Sequence, residues 1–328
     1  MALTKEEILE LAQQALAAKS LTTADIQGGT RGGLLNTAQA DKFITYMFDL
    51  TQLTKLRLVR MDRPKMEIDK IGVGTRLLRK ATEMTTVSDA QTFTTSKVTL
   101  STTKLVLPWD ISRDTHKANI ERSGVEDTVQ RLMAIQAGND FEDLAINGDT
   151  TSNNALLSAM DGWLRQAKTD SATHQVMFSG SGLSKSIFSK MIKNMPVKYR
   201  TRRNELRFYV PSNLVQDYTD SLSDRETPLG DDLIQEGVRA TAYGIPVVEV
   251  AMLPSDISGT YPGATSNHGD VILTFPMNFI TGVLEDIVIF HWFNARKDAH
   301  EFTMYMEADV KWENTDAIVL GRDIKERN

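Results

Sequence analysis

The amino-acid sequence predicts an α+β protein, and three observations lead to that fold class. Residues Phe302 to Trp312 alternate between apolar and polar side chains, which is typical of a half-buried antiparallel strand. Apolar residues from Ile120 to Ile146 follow the period of a long α-helix instead. Between Gly72 and Pro108 lies a polar stretch rich in threonine, a β-branched residue that favours strands.

The first sixty residues are predicted to form an N-terminal arm. Thr4 and Glu7 are spaced as a capping box at the start of a first amphipathic helix. A second helix is predicted from Gln39 to Gln52, and the glycine-rich segment 28–33 between the two helices favours a flexible joint. The arm has too little apolar surface to fold alone.

The polar stretch of residues 72–108 is predicted to be an extended ribbon of two strands. Residues 87–91 are the predicted turn, and Pro108 is the predicted end of the ribbon. A lone two-stranded ribbon is marginal in water because it has no core. We therefore expect the ribbon to lie on another surface, and we expect residues 80–103 to contribute little to the core of their own chain.

Residues 153–300 alternate between strand and helix patterns. The segments Ile245 to Val250 and Val271 to Phe275 are predicted strands buried on both faces. After the alternating strand that ends at Trp312, a turn at 314–316 and a return strand from Ala317 predict a hairpin.

Composition excludes several classes of protein. The chain has 328 residues, no cysteine and a net charge of −6, so disulfides, thiolate metal sites and cysteine catalysis are excluded. A dedicated nucleic-acid binder is usually basic, so any contact with DNA is expected to be weak. The N-terminus is not a signal peptide, and the longest apolar region, Val271 to Phe293, is interrupted by Pro276, so no membrane span is predicted.

No enzyme motif emerges from the sequence. The glycine-rich segments lack the lysine of a phosphate-binding loop, and no two of the five histidines have the spacing of a zinc helix. Glu249 and Asp270 are the more interesting carboxylates, but each also fits a structural role as a strand-end charge or an arginine partner. We therefore predict no catalytic site, no cofactor and no metal.

The distal half of the chain resembles the major capsid proteins of tailed bacteriophages, which have the Hong Kong ninety-seven-type fold. The resemblance is carried by the order of three segments: Tyr243 to Pro254, Gly269 to Pro276, and the alternating run that ends at Leu320. It implies the following regions: an N-terminal arm (1–71), an extended E-loop hairpin (72–108), a peripheral domain with the spine helix (109–152), an axial domain (153–300) and the C-terminal strands of the peripheral domain (301–328).

The resemblance also implies a function. The chain would assemble in the host cytoplasm into pentamers and hexamers of an icosahedral shell, and the shell would enclose double-stranded DNA in the virion. We expect an uncleaved chain that uses a separate scaffolding protein and a portal. The lysine–asparagine cross-linking motif of the family prototype does not align here, so that activity is not carried over. The predicted intersubunit contacts are Arg79, Lys80, Lys97, Lys104, Asp231 and Asp232.

Two alternatives remain open from sequence. An encapsulin, a protein shell that loads enzymes, has the same fold, and the contents of purified particles would distinguish it from a phage shell. A soluble α/β enzyme without a recognisable motif is the alternative of a different class, and a monomer at micromolar concentration would support it.

Overall fold

The structure, a computed structural model, describes residues 33–34, 56–72, 94–113, 125–223, 241–254, 267–284 and 288–327. The predicted helices of the arm lie outside these residues. The helices are α1 (Val125–Asn147), α2 (Trp163–Thr169), α3 (Lys185–Asn194), α4 (Val197–Arg200) and α5 (Ser212–Ser223). The strands are β1 (Gly33–Leu34), β2 (Arg57–Met61), β3 (Lys65–Gly72), β4 (Thr94–Ser101), β5 (Thr103–Ser112), β6 (His174–Gly182), β7 (Arg207–Val210), β8 (Thr241–Ala242), β9 (Ile245–Glu249), β10 (His268–Thr274), β11 (Phe279–Leu284), β12 (Val288–Asn294), β13 (Ala299–Trp312) and β14 (Val319–Lys325).

The first sheet is built around β13, the alternating strand that the sequence predicted. Strands β11 and β12 follow one another along one edge of β13, and β5 runs antiparallel along the other edge. Parallel β2 continues the sheet beyond β11, and β1 pairs with β12. Gly33, predicted within a flexible joint, thus lies in a short strand instead.

The second sheet has the strand order β6–β14–β10–β7–β9–β8. Every residue of β10 is buried, because alternate side chains enter two different cores. Leu273 packs with helices α3 and α5, whereas Ile272 packs with α1 and α2. The predicted strand with two buried faces is confirmed here. In β9, the other strand predicted to be buried on both faces, Pro246 and Val248 are only half-buried.

Helix α1 confirms the predicted spine helix from Val125 onward, and it ends at Asn147. The predicted start at Ile120 lies outside the described residues. Phe141 and Leu144 of the predicted apolar face are buried, whereas Leu132, predicted on the same face, is 57% exposed, and Ala134 and Ala137 are buried as well. Small side chains form part of this face, and alanine gives only a weak hydrophobic signal in a sequence.

Four aromatic rings join the two sheets around Phe279 of β11. The ring centroids of Trp163, Tyr209 and Trp312 lie 5.0, 4.9 and 4.4 Å from that of Phe279. The indole N–H of Trp312 donates to the carbonyl of Trp163 at 2.9 Å, and that of Trp163 donates to the carbonyl of Lys311 at 3.3 Å. Buried indoles need such partners, so both rings are held in fixed positions.

The ribbon is present, but its limits differ from the predicted ones. Strand β3 pairs antiparallel with β4, from Lys65 opposite Ser101 to Gly72 opposite Thr94. The ribbon therefore begins inside the segment that we assigned to the arm. It ends before Pro108, which lies within β5; among the described residues β5 pairs only with β13, and proline is tolerated on such an edge strand.

The predicted C-terminal hairpin is wrong. After β13 the chain leaves the first sheet through a 3-10 turn at Thr315–Ala317, and β14 then pairs with β10 and β6 of the second sheet. Conversely, β11 and β12, which fall inside the predicted axial segment 153–300, pair with β13. The hydrophobic pattern predicted the strand that begins at Ala317 but not the strands with which it pairs, and it did not single out β11 and β12. The domain limits given by the resemblance remain a proposal.

Candidate assembly surface

The ribbon of β3 and β4 exposes most of its side chains. Residues 65–67, 69 and 95–97 are exposed, residues 68, 70, 98 and 99 are half-buried, and Leu100 at the base is buried. A pair of strands with so little buried apolar surface is not stable by itself in water. The ribbon therefore depends on its attachment to the rest of the chain and on any surface that covers it.

The apolar root of the ribbon is a small core of its own. Met61, Leu100 and Ile280 are all fully buried there, on β2, β4 and β11 respectively. Gly282 makes this close packing possible, because a Cβ at that position would lie 2.7 Å from Met61 Sδ and 3.1 Å from Leu100 Cδ1. Leu100 contradicts our expectation that residues 80–103 contribute little to the core of their own chain.

Polar contacts fix the same root to strand β13. The backbone N–H of Ser101 donates to Asp309 Oδ2 at 2.7 Å, and the Thr102 hydroxyl donates to Glu307 Oε2 at 3.0 Å. The N–H of Thr102 also donates to the carbonyl of Pro64 at 2.9 Å, which closes the base of the ribbon. Apolar packing and hydrogen bonds thus set the direction in which the ribbon leaves the body.

Asp309 is buried, with only 4% of its surface exposed. Burial raises the pKa of its carboxyl group, although the N–H donors of Ser101 and Val310 and the charge of Lys311 oppose that shift. The sequence reasoning missed Asp309 because an acidic residue at a polar position of an alternating strand normally faces water. Its only sequence signal is its place between the apolar residues Ala308 and Val310.

Two of the six predicted contact residues lie in the described part of the chain. Lys97 of β4 is exposed, and its Nζ lies 2.8 Å from Glu67 Oε2 and 3.7 Å from Asp69 Oδ1. The hydrogen bond to Glu67 raises the pKa of Lys97. Lys104 of β5 is exposed as well, and its Nζ lies 4.5 Å above the ring of Tyr305. The two lysines lie in different sheets.

The other four predicted contacts lie outside the described residues. Arg79 and Lys80 fall in segment 73–93, and Asp231 and Asp232 fall in segment 224–240. The role of all six residues in contacts between copies stays a prediction.

The two carboxylates singled out by sequence have ordinary surroundings. Asp270 is fully buried, and its Oδ2 lies 2.8 Å from Lys168 Nζ, so it has the structural role of a buried ion-pair partner. Glu249 is exposed at the end of β9. In the part of the chain that the structure describes, no cluster of three or more potential ligands is placed to hold a metal ion. No helix among those residues is both long and apolar enough to span a membrane.

Comparison with known proteins decides the family. A protein named as a prophage capsid protein, YqbE of Bacillus subtilis (strain 168), is 33% identical over 298 residues, which cover 90% of this chain and 94% of that protein. The chain belongs to the phage capsid protein family. No protein-family model matches it.

Solved structures confirm the Hong Kong ninety-seven-type fold. A chain of the satellite phage P4 procapsid is similar over 98% of both chains, with a TM-score of 0.67 and 15% identity. A chain of the SrpI encapsulin complex from Synechococcus elongatus PCC 7942 covers 83% of this chain and 86% of its own length, with a TM-score of 0.54 and 7% identity. The fold alone is shared with encapsulins, whereas the sequence relative is a capsid protein. The predicted identification as a capsid protein is confirmed, and the role of the chain is structural.

Proposed function

We propose that this phage capsid protein is the major subunit of an icosahedral shell and that it forms both hexamers and pentamers. The observation that carries the proposal is the ribbon, which is fixed at its root but has little core beyond it. A subunit with such an element completes its burial by contact with another copy. Head-to-tail contacts that close on themselves then give rings and shells instead of filaments.

The proposed contents of the shell are double-stranded DNA, which the subunit contacts weakly. The net charge of −6 supports weak contact, because strong binding to phosphates needs an excess of lysine and arginine. We also propose that a separate scaffolding protein and a portal take part in assembly, and that assembly occurs in the host cytoplasm. We propose a structural role for the subunit and no catalytic one.

The contents of purified particles test this proposal. After nuclease treatment of the outside, particles from infected or induced cells are expected to release double-stranded DNA when they are opened. Particles that instead contain a folded enzyme would favour the encapsulin alternative. Mass spectrometry of the same particles is expected to show the intact chain, and a main species that lacks the first tens of residues would contradict the expectation of an uncleaved subunit.

A further inference from the structure

A pocket of about 500 Å³ lies beside the ribbon. Its walls come from three parts of the chain that are far apart in sequence: the ribbon contributes Lys70 and Lys97, helix α2 contributes Thr169, and the end of β13 with the residue after it contributes Lys311 and Glu313. Its volume is within the usual range for ligand sites, and hydroxyl and ammonium groups are prominent in its lining. The pocket therefore suits a polar ligand better than an apolar one.

The two carboxylates in the wall already have partners. Glu313 Oε2 lies 3.1 Å from Arg57 Nη1, so its charge is balanced from outside the pocket. Asp170 Oδ1 accepts the backbone N–H of Ala172 at 2.8 Å and thereby closes a local turn. Both carboxylates in the wall thus already interact with groups other than the lysines of the pocket.

The three lysines differ in how well their charges are balanced. Lys97 is paired with Glu67 on the ribbon. Neither Lys70 nor Lys311 has a carboxylate oxygen within 4.0 Å among the residues that the structure describes. Lys311 is near enough to Asp309 to affect it electrostatically, but both oxygens of that carboxylate accept backbone N–H groups.

Lys70 and Lys311 are both half-buried, so each ammonium group has lost part of its hydration. Burial lowers the pKa of Lys70, and the negative charge of Glu313 only partly opposes this shift. An ammonium group that has lost part of its hydration is stabilised by a nearby anion, because the opposite charge favours the charged form and the oxygens of the anion accept its hydrogen bonds.

We propose that this pocket binds an oxyanion through Lys70 and Lys311. The anion is either a carboxylate group from a second copy of the chain or a small free anion such as inorganic phosphate. Composition favours the carboxylate, because the chain has 43 acidic against 37 basic residues and each neighbour thus has carboxylates to offer. The choice of a carboxylate from a second copy rests on the proposed function of shell assembly, whereas anion binding itself does not.

The first experiment measures binding of inorganic phosphate to the unassembled full-length subunit by calorimetry at constant ionic strength. Wild type is expected to bind phosphate, and the double variant Lys70→Gln/Lys311→Gln is expected to lose affinity by about tenfold or more, since it lacks two charge-assisted hydrogen bonds. Lys185→Gln/Lys193→Gln, two exposed lysines of α3, removes the same net charge and is expected to bind like wild type. If the glutamine variant fails to fold, Lys70→Arg/Lys311→Arg keeps both charges and is expected to retain binding.

The second experiment identifies the source of the anion by following shell assembly with and without phosphate. Inhibition of wild-type assembly by phosphate, together with poor assembly of the Lys70/Lys311 glutamine variant alone, supports a carboxylate from a second copy. Assembly that phosphate leaves unchanged or promotes supports a free anion. Equal phosphate binding by wild type and the glutamine variant, or an equal loss in the α3 control, overturns the proposal. If wild type binds phosphate through Lys70 and Lys311 but never forms shells, only the proposed function fails.

Discussion

The carboxylate of Asp309 in β13 accepts the backbone N–H of Ser101 at 2.7 Å, at the point where the ribbon leaves the body. This bond joins residues that are 208 positions apart in the chain. It connects β4, a strand of the ribbon, to β13, the strand around which the first sheet is built. The direction of the ribbon is consequently set by the fold of the body.

Replacing Asp309 tests this connection. Asp309→Ala leaves the N–H of Ser101 without its acceptor, so the unassembled subunit is expected to lose about 1–3 kcal/mol of unfolding free energy. Asp309→Asn keeps one acceptor oxygen for the N–H of Ser101 and gives up only the bond from Val310, so this matched control is expected to lose less. Denaturant unfolding measures both, and equal losses in the two variants would show that the bond does not matter.

Wild type and Asp309→Asn also give a test by pH. Because burial raises the pKa of Asp309 above its ordinary value of 3.8, the associated stability is fully present below that value and is lost as pH rises through the folded pKa. Asp309→Asn cannot ionise, so its stability relative to wild type is expected to increase from pH 3.5 to neutral pH. Other titrating groups cancel in the difference, and a flat or opposite trend would contradict the assigned direction.

Leu100 is expected to be the apolar anchor of the ribbon. Leu100→Ala leaves a cavity between Met61 and Ile280 and is expected to cost about 2–5 kcal/mol of unfolding free energy. Val106→Ala on the adjoining strand β5 is the matched control, since Val106 is 58% exposed, and its expected effect is within about 0.5 kcal/mol. If the two changes destabilise the subunit equally, the root does not depend on Leu100.

Removing the segment that connects β3 to β4 separates folding from assembly. Gly72 and Thr94 are register partners, so residues 73–93 can be replaced by a two-residue Asn-Gly turn that leaves the root intact. The shortened subunit is expected to keep its circular dichroism spectrum and stability but to form no closed shells, because it lacks the segment that we propose as the contact with a neighbour. Normal-sized particles from this variant, seen by electron microscopy, would show that the ribbon is not the clamp.

The assembled shell is expected to be held by non-covalent contacts. Obligate interfaces bury about 2,000–5,000 Å², and apolar burial contributes about 25 cal/mol per Å², which makes cross-links unnecessary for a persistent particle. Boiling mature particles in detergent is expected to give one band at the chain mass of 36.6 kDa. A ladder of pentamer- and hexamer-sized bands would contradict this, and Lys80, Lys97 and Lys104 would be the first residues to mutate.

Local sequence patterns predicted individual strands and helices better than they predicted which strands pair with one another. The alternation from Phe302 to Trp312 predicted β13, and the helical period predicted α1, because each pattern reports how one segment meets one core. No such pattern reports that β14 crosses to the second sheet. That crossing depends on Val319 and Leu320 entering two different cores, which is a property of the whole body.

The candidate site was predicted in outline and missed in detail. The threonine-rich stretch indicated a ribbon without a core, but its start at Lys65 was missed, although Met66 and Ile68 alternate with charged residues as in a half-buried strand. Lys97 stood out as a charge available to a neighbour, yet cross-strand pairing gives it Glu67 and Asp69 as partners. Long-range contacts such as that of Ser101 with Asp309 cannot be inferred from one sequence.

The central claim is that this chain builds a closed shell from copies of itself. Negative-stain electron microscopy of the purified protein, produced with and without the scaffolding protein that we propose, tests it most directly. We predict closed, icosahedral particles of uniform size with hexameric and pentameric capsomers. A protein that stays monomeric at micromolar concentration, with no particles under any assembly condition, would contradict the account.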